Sequence, residues 1–260
     1  MRERNMNIRI GKVEKYLVER IEQEGAIHIT LIDPDKVNLK IITHVKEAVE
    51  AGTSAIMIGG SIGVCERNLD DIILNIKKEI KDVPIILFPG NVSGISRYAD
   101  AIWFMSLLNS SNTYYVIDAQ AQGAIIVERY GLEAIPMGYI ILGEGGAAGY
   151  IGYARPIPYN RPEIAVMYAL AGNYLGMRYI YLEAGSGAKE PVPPEIIHAV
   201  KKVVKGKVIV GGGIRTVNQA INAVKAGADI IVTGTLIEEG NGKRIKEIIK
   251  SIRNKNEYLL

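Results

Sequence analysis

Cysteine is almost missing from this chain, Cys65 being the only one. That excludes an intrachain disulfide and fits a reducing compartment. No apolar run approaches the roughly 20 residues that a membrane span needs. Charge of one sign is lacking too: 31 Lys and Arg stand against 28 Asp and Glu, for a net charge of +3 and no basic block. Nothing there suggests a nucleic-acid partner. The polar start, Met1-Arg2-Glu3-Arg4-Asn5, shows no secretory signal. These absences predict a soluble, cytoplasmic protein that meets a membrane, if at all, from outside.

Common catalytic devices are missing as well. His28, His44 and His198 share no ligand spacing and no Cys/His cluster, so core or surface placement is expected for all three. Cys65 has no visible base partner, and a G-x-S-x-G elbow is absent. The apolar run Tyr179–Leu182 carries no lysine, which argues against a Schiff-base aldolase. Domain boundaries, linkers and low-complexity tracts are not visible, so residues 1–260 are expected to form one domain.

What is present is an ordinary globular composition, 48% hydrophobic and 23% charged over 260 residues. After an amphipathic leading helix between Ile10 and Glu24, short apolar runs alternate with helical patterns. The runs are Ile27–Ile32, Ala55–Ile58, Pro84–Phe88, Ala101–Met105, Ala134–Leu142, Tyr179–Leu182, Val208–Val210 and Ile230–Val232. Helices are predicted from about Asn38, around Leu69–Ile80, at Thr113–Tyr130, from Pro162, and at Pro193–Val204, Thr216–Ala226 and Arg244–Ile252. Between the third and fourth runs, Pro89 to Asp100 holds two glycines, a proline and two serines, too poor a helix former for a full crossover. Gly143 to Asn160 reads as a loop rich in glycine, proline and tyrosine. The pattern is that of a parallel (β/α)8 TIM barrel with a leading helix and an irregular or missing third outer helix. An open doubly wound sheet is the alternative.

Glycine-bearing turns close the last three strands: Tyr181-Leu182-Glu183-Ala184-Gly185-Ser186-Gly187, Gly211-Gly212-Gly213-Ile214-Arg215 and Thr233-Gly234-Thr235. Glycine lets a backbone approach a ligand and take φ > 0, and barrels place phosphate after strands 7 and 8. The match to a dinucleotide fingerprint is poor, because Thr216 stands where it needs glycine and the acid Asp229 precedes the next strand rather than following it. Asp33 and Ser61 end strands 1 and 2, and could supply hard oxygens to Mg²⁺. Asp33 equally suits a turn with Asp35 or Asn38 capping the next helix. Glu183 could receive a substrate hydroxyl, or pair with Arg215 or Lys36. Phe88, Trp103, Phe104, Met105, Met137, Tyr139, Ile140 and Leu142 make an apolar rim beside the stripped third-helix position. A greasy groove beside a phosphate mouth suggests a long apolar substrate carrying a diphosphate.

Together, His28-Ile29-Thr30-Leu31-Ile32-Asp33-Pro34-Asp35-Lys36, Gly59-Gly60-Ser61 and the three glycine turns resemble the geranylgeranylglyceryl phosphate synthase family. The resemblance implies a Mg²⁺-dependent prenyltransferase of archaeal ether-lipid biosynthesis. It would join geranylgeranyl diphosphate to the 3-hydroxyl of sn-glycerol 1-phosphate. By position, Asp33 and Ser61 would hold the metal. Tyr181 to Gly187 with Gly212, Gly213, Gly234 and Thr235 would hold glycerol phosphate, and Tyr139 would gate the prenyl groove, of which Trp103 is a further candidate. One branch carries a phosphate-contacting lysine in the first motif; Leu31 at that position places this chain in the other, group II, whose members are dimers or hexamers. Peripheral membrane contact for product release is a further implication. The rival readings are a heptaprenylglyceryl phosphate synthase type differing in chain length, and a phosphosugar-acting barrel. The latter wants an aspartate at the end of strand 5, where Leu142-Gly143 stand with Glu144 close by.

Overall fold

The computed structural model describes residues 10–37, 39–60 and 66–253. Parallel strands β1 (Ile27–Ile32), β2 (Ala55–Ile58), β3 (Ile85–Leu87), β4 (Ala101–Leu107), β5 (Glu133–Ile141), β6 (Tyr179–Glu183), β7 (Lys207–Gly211) and β8 (Ile230–Thr233) close into a barrel in sequence order. β1 pairs with both β2 and β8, so the open-sheet alternative is excluded. Alternation along each strand sorts side chains into an interior and a helix-facing layer. Ile27, Met57, Trp103, Met137, Tyr139, Tyr181 and Ile209 share the interior cluster, whereas Ile140, Leu142, Leu182 and Ala184 pack outward among the helices.

The leading helix α1 (Lys12–Glu24) closes the barrel floor. Its Val13, Leu17 and Ile21 join the interior cluster, each side chain contributing roughly 1.5–3 kcal/mol by leaving water. Its start is capped from β5: the Glu133 carboxylate accepts from the N–H of Val13 at 2.7 Å and of Glu14 at 2.8 Å. Gly11 is needed there, because a Cβ would collide with Glu133. Glu14 in turn holds Arg178 through two bonds of 2.6 Å.

The outer ring is α2 (Leu39–Ala51), α3 (Glu66–Glu79), α4 (Ala119–Tyr130), α5 (Gly146–Ile151), α6 (Pro162–Tyr174), α7 (Pro194–Val203), α8 (Val217–Lys225), α9 (Thr235–Glu238) and α10 (Gly242–Ile252). Between β3 and β4 there is only a 3₁₀ turn, Val92–Gly94, held by Asn91 accepting from Ser93 N at 2.9 Å. The predicted gap in the helical ring is real. Two short helices escaped the sequence reading. α5 lies within the stretch taken as loop, and α9 follows directly on the Gly234 turn; both are too short to show a helical period. β4 runs on to Leu107, past the apolar run Ala101–Met105, with Trp103 in mid-strand. Among the described residues no helix is long and apolar enough to cross a membrane.

Candidate active site

At the carboxyl end of the strands, one cleft runs from the glycine turns of β6, β7 and β8 out past β4 to α4. Glu183, Gly212, Gly213, Gly234 and Thr235 line its polar end, with Asp33 across the mouth. Its apolar end is walled by Phe104, Met105, Tyr115, Gly123, Val127 and Ile95, where a third crossover helix would otherwise sit. A wide π-helical turn, Tyr114–Asp118, leads into α4 beside this groove. Gln120 ties it down by donating to Met105 O at 2.5 Å and Tyr115 O at 3.2 Å.

Glu183 ends β6 and is only 6% exposed. Its Oε1 accepts from Gly185 N at 2.6 Å. Burial raises the carboxyl above its ordinary range, against the Gly185 N–H, Tyr181 and Tyr139, which favour the charged form. The Tyr181 hydroxyl approaches this carboxylate without the alignment of a full hydrogen bond, and Oη is left buried without a partner. Burial also holds the phenols of Tyr139 and Tyr181 well above the usual range, so both are neutral donors. Neither expected ion pair forms: Lys36 turns to Glu238 at 2.7 Å and Asp33 at 3.5 Å, and Arg215 makes no bridge to Glu183. The carboxylate is thus fixed by main chain, and faces the cleft.

The glycines make this possible. A Cβ on Gly211 would collide with Tyr181 Oη, and one on Gly212 with Glu183 Oε1. Gly185, Gly187, Gly212 and Gly213 all have positive φ, between 71° and 107°. The Gly234 turn differs from that expectation: its φ is −125°, and the nearest atoms to a Cβ there would be those of Leu31, at 3.4 Å.

Of the expected acceptor residues, Tyr181, Glu183, Ser186, Gly212, Gly213, Gly234 and Thr235 line the cleft, and Leu182, Ala184, Gly185 and Gly187 do not. The side chains of Leu182 and Ala184 face the helices, so only their main chain can serve a ligand. Gly185 lies beneath the backbone of Gly145 and Gly146, since a Cβ on it would stand 2.9 Å from both. Tyr139 sits in an aromatic trio with Phe88 and Tyr181, centroids 5.2 to 5.5 Å apart. Trp103 forms the groove floor rather than its rim, edge-on to Tyr179 at 5.1 Å, with Nε1 buried and unpartnered. Ile140 and Leu142, expected at the rim, face the helix layer because their parity on β5 is the outward one.

Asp33 caps its own turn and also borders the cleft. Oδ1 accepts from Asp35 N at 3.1 Å, capping the 3₁₀ turn Pro34–Lys36, while the carboxylate borders the cleft and stays partly exposed. A hard oxygen at the cleft mouth fits a Mg²⁺ that takes few protein ligands and fills its shell with water and substrate. Ser61 and Cys65 lie outside the described residues. Among the described residues no cluster of three or more His, Cys, Asp or Glu could hold a metal unaided. Sequence reasoning missed α5, whose Ala148 and Ile151 line the cleft, and Phe88 as the ring stacked on Tyr181 at 5.5 Å. The strand-3 position of Phe88 was the signal for the latter; α5 left none.

The model of the PcrB family matches residues 18–252. The geranylgeranylglyceryl phosphate synthase of Thermofilum pendens is 52% identical over 246 residues, covering 94% of this chain and 96% of the relative. That of Pyrococcus abyssi is 51% identical over 252 residues, covering 95% and 100%. In the crystal structure of (S)-3-O-geranylgeranylglyceryl phosphate synthase from Thermoplasma acidophilum, solved with its substrate sn-glycerol-1-phosphate, the fold superposes with a TM-score of 0.89 at 39% identity, covering 94% and 99%. The chain belongs to the PcrB family, and its place there is among the geranylgeranylglyceryl phosphate synthases.

Proposed function

We propose that this protein transfers the geranylgeranyl group of geranylgeranyl diphosphate to the 3-hydroxyl of sn-glycerol 1-phosphate. The products are geranylgeranylglyceryl phosphate and diphosphate, in archaeal ether-lipid biosynthesis. One observation carries the reading: Glu183 stands where the glycine turns meet the apolar groove, in a single continuous cleft. A phosphorylated acceptor and a long allylic donor would meet at that carboxylate.

The amides of the glycine turns bind the acceptor phosphate, and Tyr181 offers its unpartnered hydroxyl to the glycerol. The allylic carbon–oxygen bond breaks toward the diphosphate, and the groove around Phe104, Met105 and Trp103 keeps water from the cation. The 3-hydroxyl adds to that carbon, and its proton passes to Glu183. Burial suits Glu183 to this, since it binds a proton more readily than a solvated carboxylate does. Asp33, with Ser61, would hold Mg²⁺, which supplies neutralising charge to the leaving diphosphate. Tyr139, hemmed in by Phe88 and Tyr181, is the residue at the entrance from mouth to groove. The working form is a cytoplasmic homo-oligomer, a dimer or hexamer, with peripheral membrane contact as the product leaves.

Incubation with Mg²⁺, sn-glycerol 1-phosphate and prenyl diphosphates of several lengths tests the reading by mass of the product. A 20-carbon ether supports it. A preference for a longer chain moves the protein to the heptaprenyl type, and no ether with any donor refutes the transferase.

A further inference from the structure

A polar island is buried in the barrel wall between β1, β2 and β8, and it reaches the cleft only at Thr233. His28, on β1, is 1% exposed, and Thr30, Thr53 and Thr233 around it are at most 4% exposed. His28 Nδ1 stands 2.8 Å from Thr53 Oγ1, and Nε2 stands 2.9 Å from Thr233 Oγ1. Thr30 Oγ1 donates to Thr53 Oγ1 at 3.1 Å, and Thr53 Oγ1 donates to the carbonyl of His28 at 3.1 Å. Burial lowers the imidazole to about 3, so the ring is neutral.

Counting protons fixes the direction of each bond. A neutral imidazole has one donor and one acceptor, and each threonine hydroxyl has one proton. The proton of Thr53 goes to the His28 carbonyl, so its oxygen accepts from Thr30 and from Nδ1–H of His28. Nε2 then has no proton, and the hydroxyl of Thr233 donates to it. The opposite tautomer would turn the Thr53 proton to Nδ1 and leave the His28 carbonyl with the Ser54 N–H alone, at 2.8 Å. It would also aim Nε2–H at Thr233, whose own proton would need another buried acceptor. A buried hydroxyl proton without an acceptor, as Thr233 would then carry, costs more than a typical bond contributes. The Nδ1–H tautomer is therefore the one the geometry selects.

Thr233 is the last residue of β8, paired in register with Thr30, and it borders the cleft together with Gly234-Thr235, which follow it at once. On its far side the Gly234 turn is held by α9, whose Ile237 and Glu238 N–H groups donate to the Gly234 carbonyl at 2.9 and 3.4 Å; the Thr233 tether fixes its near side, where β8 ends. A Cβ on Gly212 or Gly213 would strike the backbone of Gly185 or Glu190, whereas the nearest atoms to one on Gly234 would be those of Leu31, at 3.4 Å. We propose that His28 is a positioning residue for the acceptor. By accepting the Thr233 hydroxyl proton it fixes the exit of β8, and so aims Gly234-Thr235 at the phosphate. This rests on the glycerol 1-phosphate reading given above.

The test uses Thr233→Val, which removes the hydroxyl and keeps the shape, and Thr233→Ser, which keeps the hydroxyl. Thr233→Val should raise KM for sn-glycerol 1-phosphate about ten-fold, the worth of one buried hydrogen bond, with kcat and the KM of the prenyl diphosphate within about two-fold. Calorimetric binding of sn-glycerol 1-phosphate alone should weaken by the same factor. Thr233→Ser should recover the wild-type values, and His28→Gln should add nothing once Thr233 is valine. An unchanged acceptor KM, or equal rises for both substrates, overturns the proposal. Should the variants fail to fold, ¹⁵N resonances of the wild-type imidazole decide: protonation at Nδ1 is expected, and protonation at Nε2 refutes the bond. A wild-type protein that binds glycerol 1-phosphate but forms no ether refutes the reaction, and calorimetry still judges the tether. Failure to bind glycerol 1-phosphate refutes both.

Discussion

Gly212 stands where any side chain would displace Glu183: a Cβ there collides with Oε1 and comes within 2.7 Å of Gly185 N, the donor that holds that same oxygen. With φ at +79°, the position is also strained for an L-residue. Gly212→Ala should therefore misplace the carboxylate while the barrel stays folded. The expected result is a fall in turnover on the order of 100-fold, the usual cost of an ångström-scale displacement of a catalytic group. Steady-state rates beside a circular-dichroism melt check it; an active variant would mean that Glu183 needs no fixed position.

Glu183 is predicted to give the reaction its acid limb. Burial, the largest influence on it, raises the carboxyl, and the base must be unprotonated to receive the hydroxyl proton. Activity is thus present at pH above the raised value and lost as pH falls through it, at higher pH than an exposed carboxylate would give. Glu183→Gln should lower kcat by roughly 10²- to 10⁴-fold and abolish that limb. A variant keeping both rate and limb would take Glu183 out of the chemistry.

Most of the barrel was legible because its strands are buried on both faces and announce themselves as apolar runs between helical periods. The missing outer helix was legible for the opposite reason, since Pro89 to Asp100 cannot form one. Side-chain direction was less accessible. Ile140 and Leu142 were placed at the rim, yet parity on β5 turns them to the helices, and parity is fixed only once the register with β6 is known. The three glycine turns looked equivalent in sequence. Only the structure separates Gly212 and Gly213, at positive φ, from Gly234, which is not. The Glu133 cap on α1 left no local signal, because it joins residues 119 and 120 positions apart.

Asp33 tests the divalent cation apart from the fold. Asparagine caps a turn as well as aspartate does, so Asp33→Asn should keep the bond to Asp35 N and change stability by only a few tenths of a kcal/mol. It removes the charge at the mouth, however. The Mg²⁺ concentration needed for half-maximal rate should rise at least about ten-fold, and the acceptor KM should change less. Lys36 stays anchored by Glu238, so loss of that ion pair does not confound the result. Titration of rate against Mg²⁺ is the measurement. An unchanged requirement returns Asp33 to the capping role alone.

His28 makes an acid-stability prediction of its own. Its imidazole is held at about 3 in the fold by burial, against 6.5 for the free group. Below pH 6.5 the unfolded chain therefore takes up a proton that the folded chain refuses, and unfolding is favoured as pH falls. Stability attributable to His28 is complete above pH 6.5 and declines by about 1.4 kcal/mol per pH unit through the window below it. His28→Gln cannot titrate, and lacks this decline. Urea midpoints of both proteins between pH 7.5 and pH 4.5 should show the wild type ahead at neutral pH and losing that lead as the solution is acidified. Parallel curves would mean that the ring accepts a proton in place, and that the Thr233 hydroxyl is not bound to a bare Nε2.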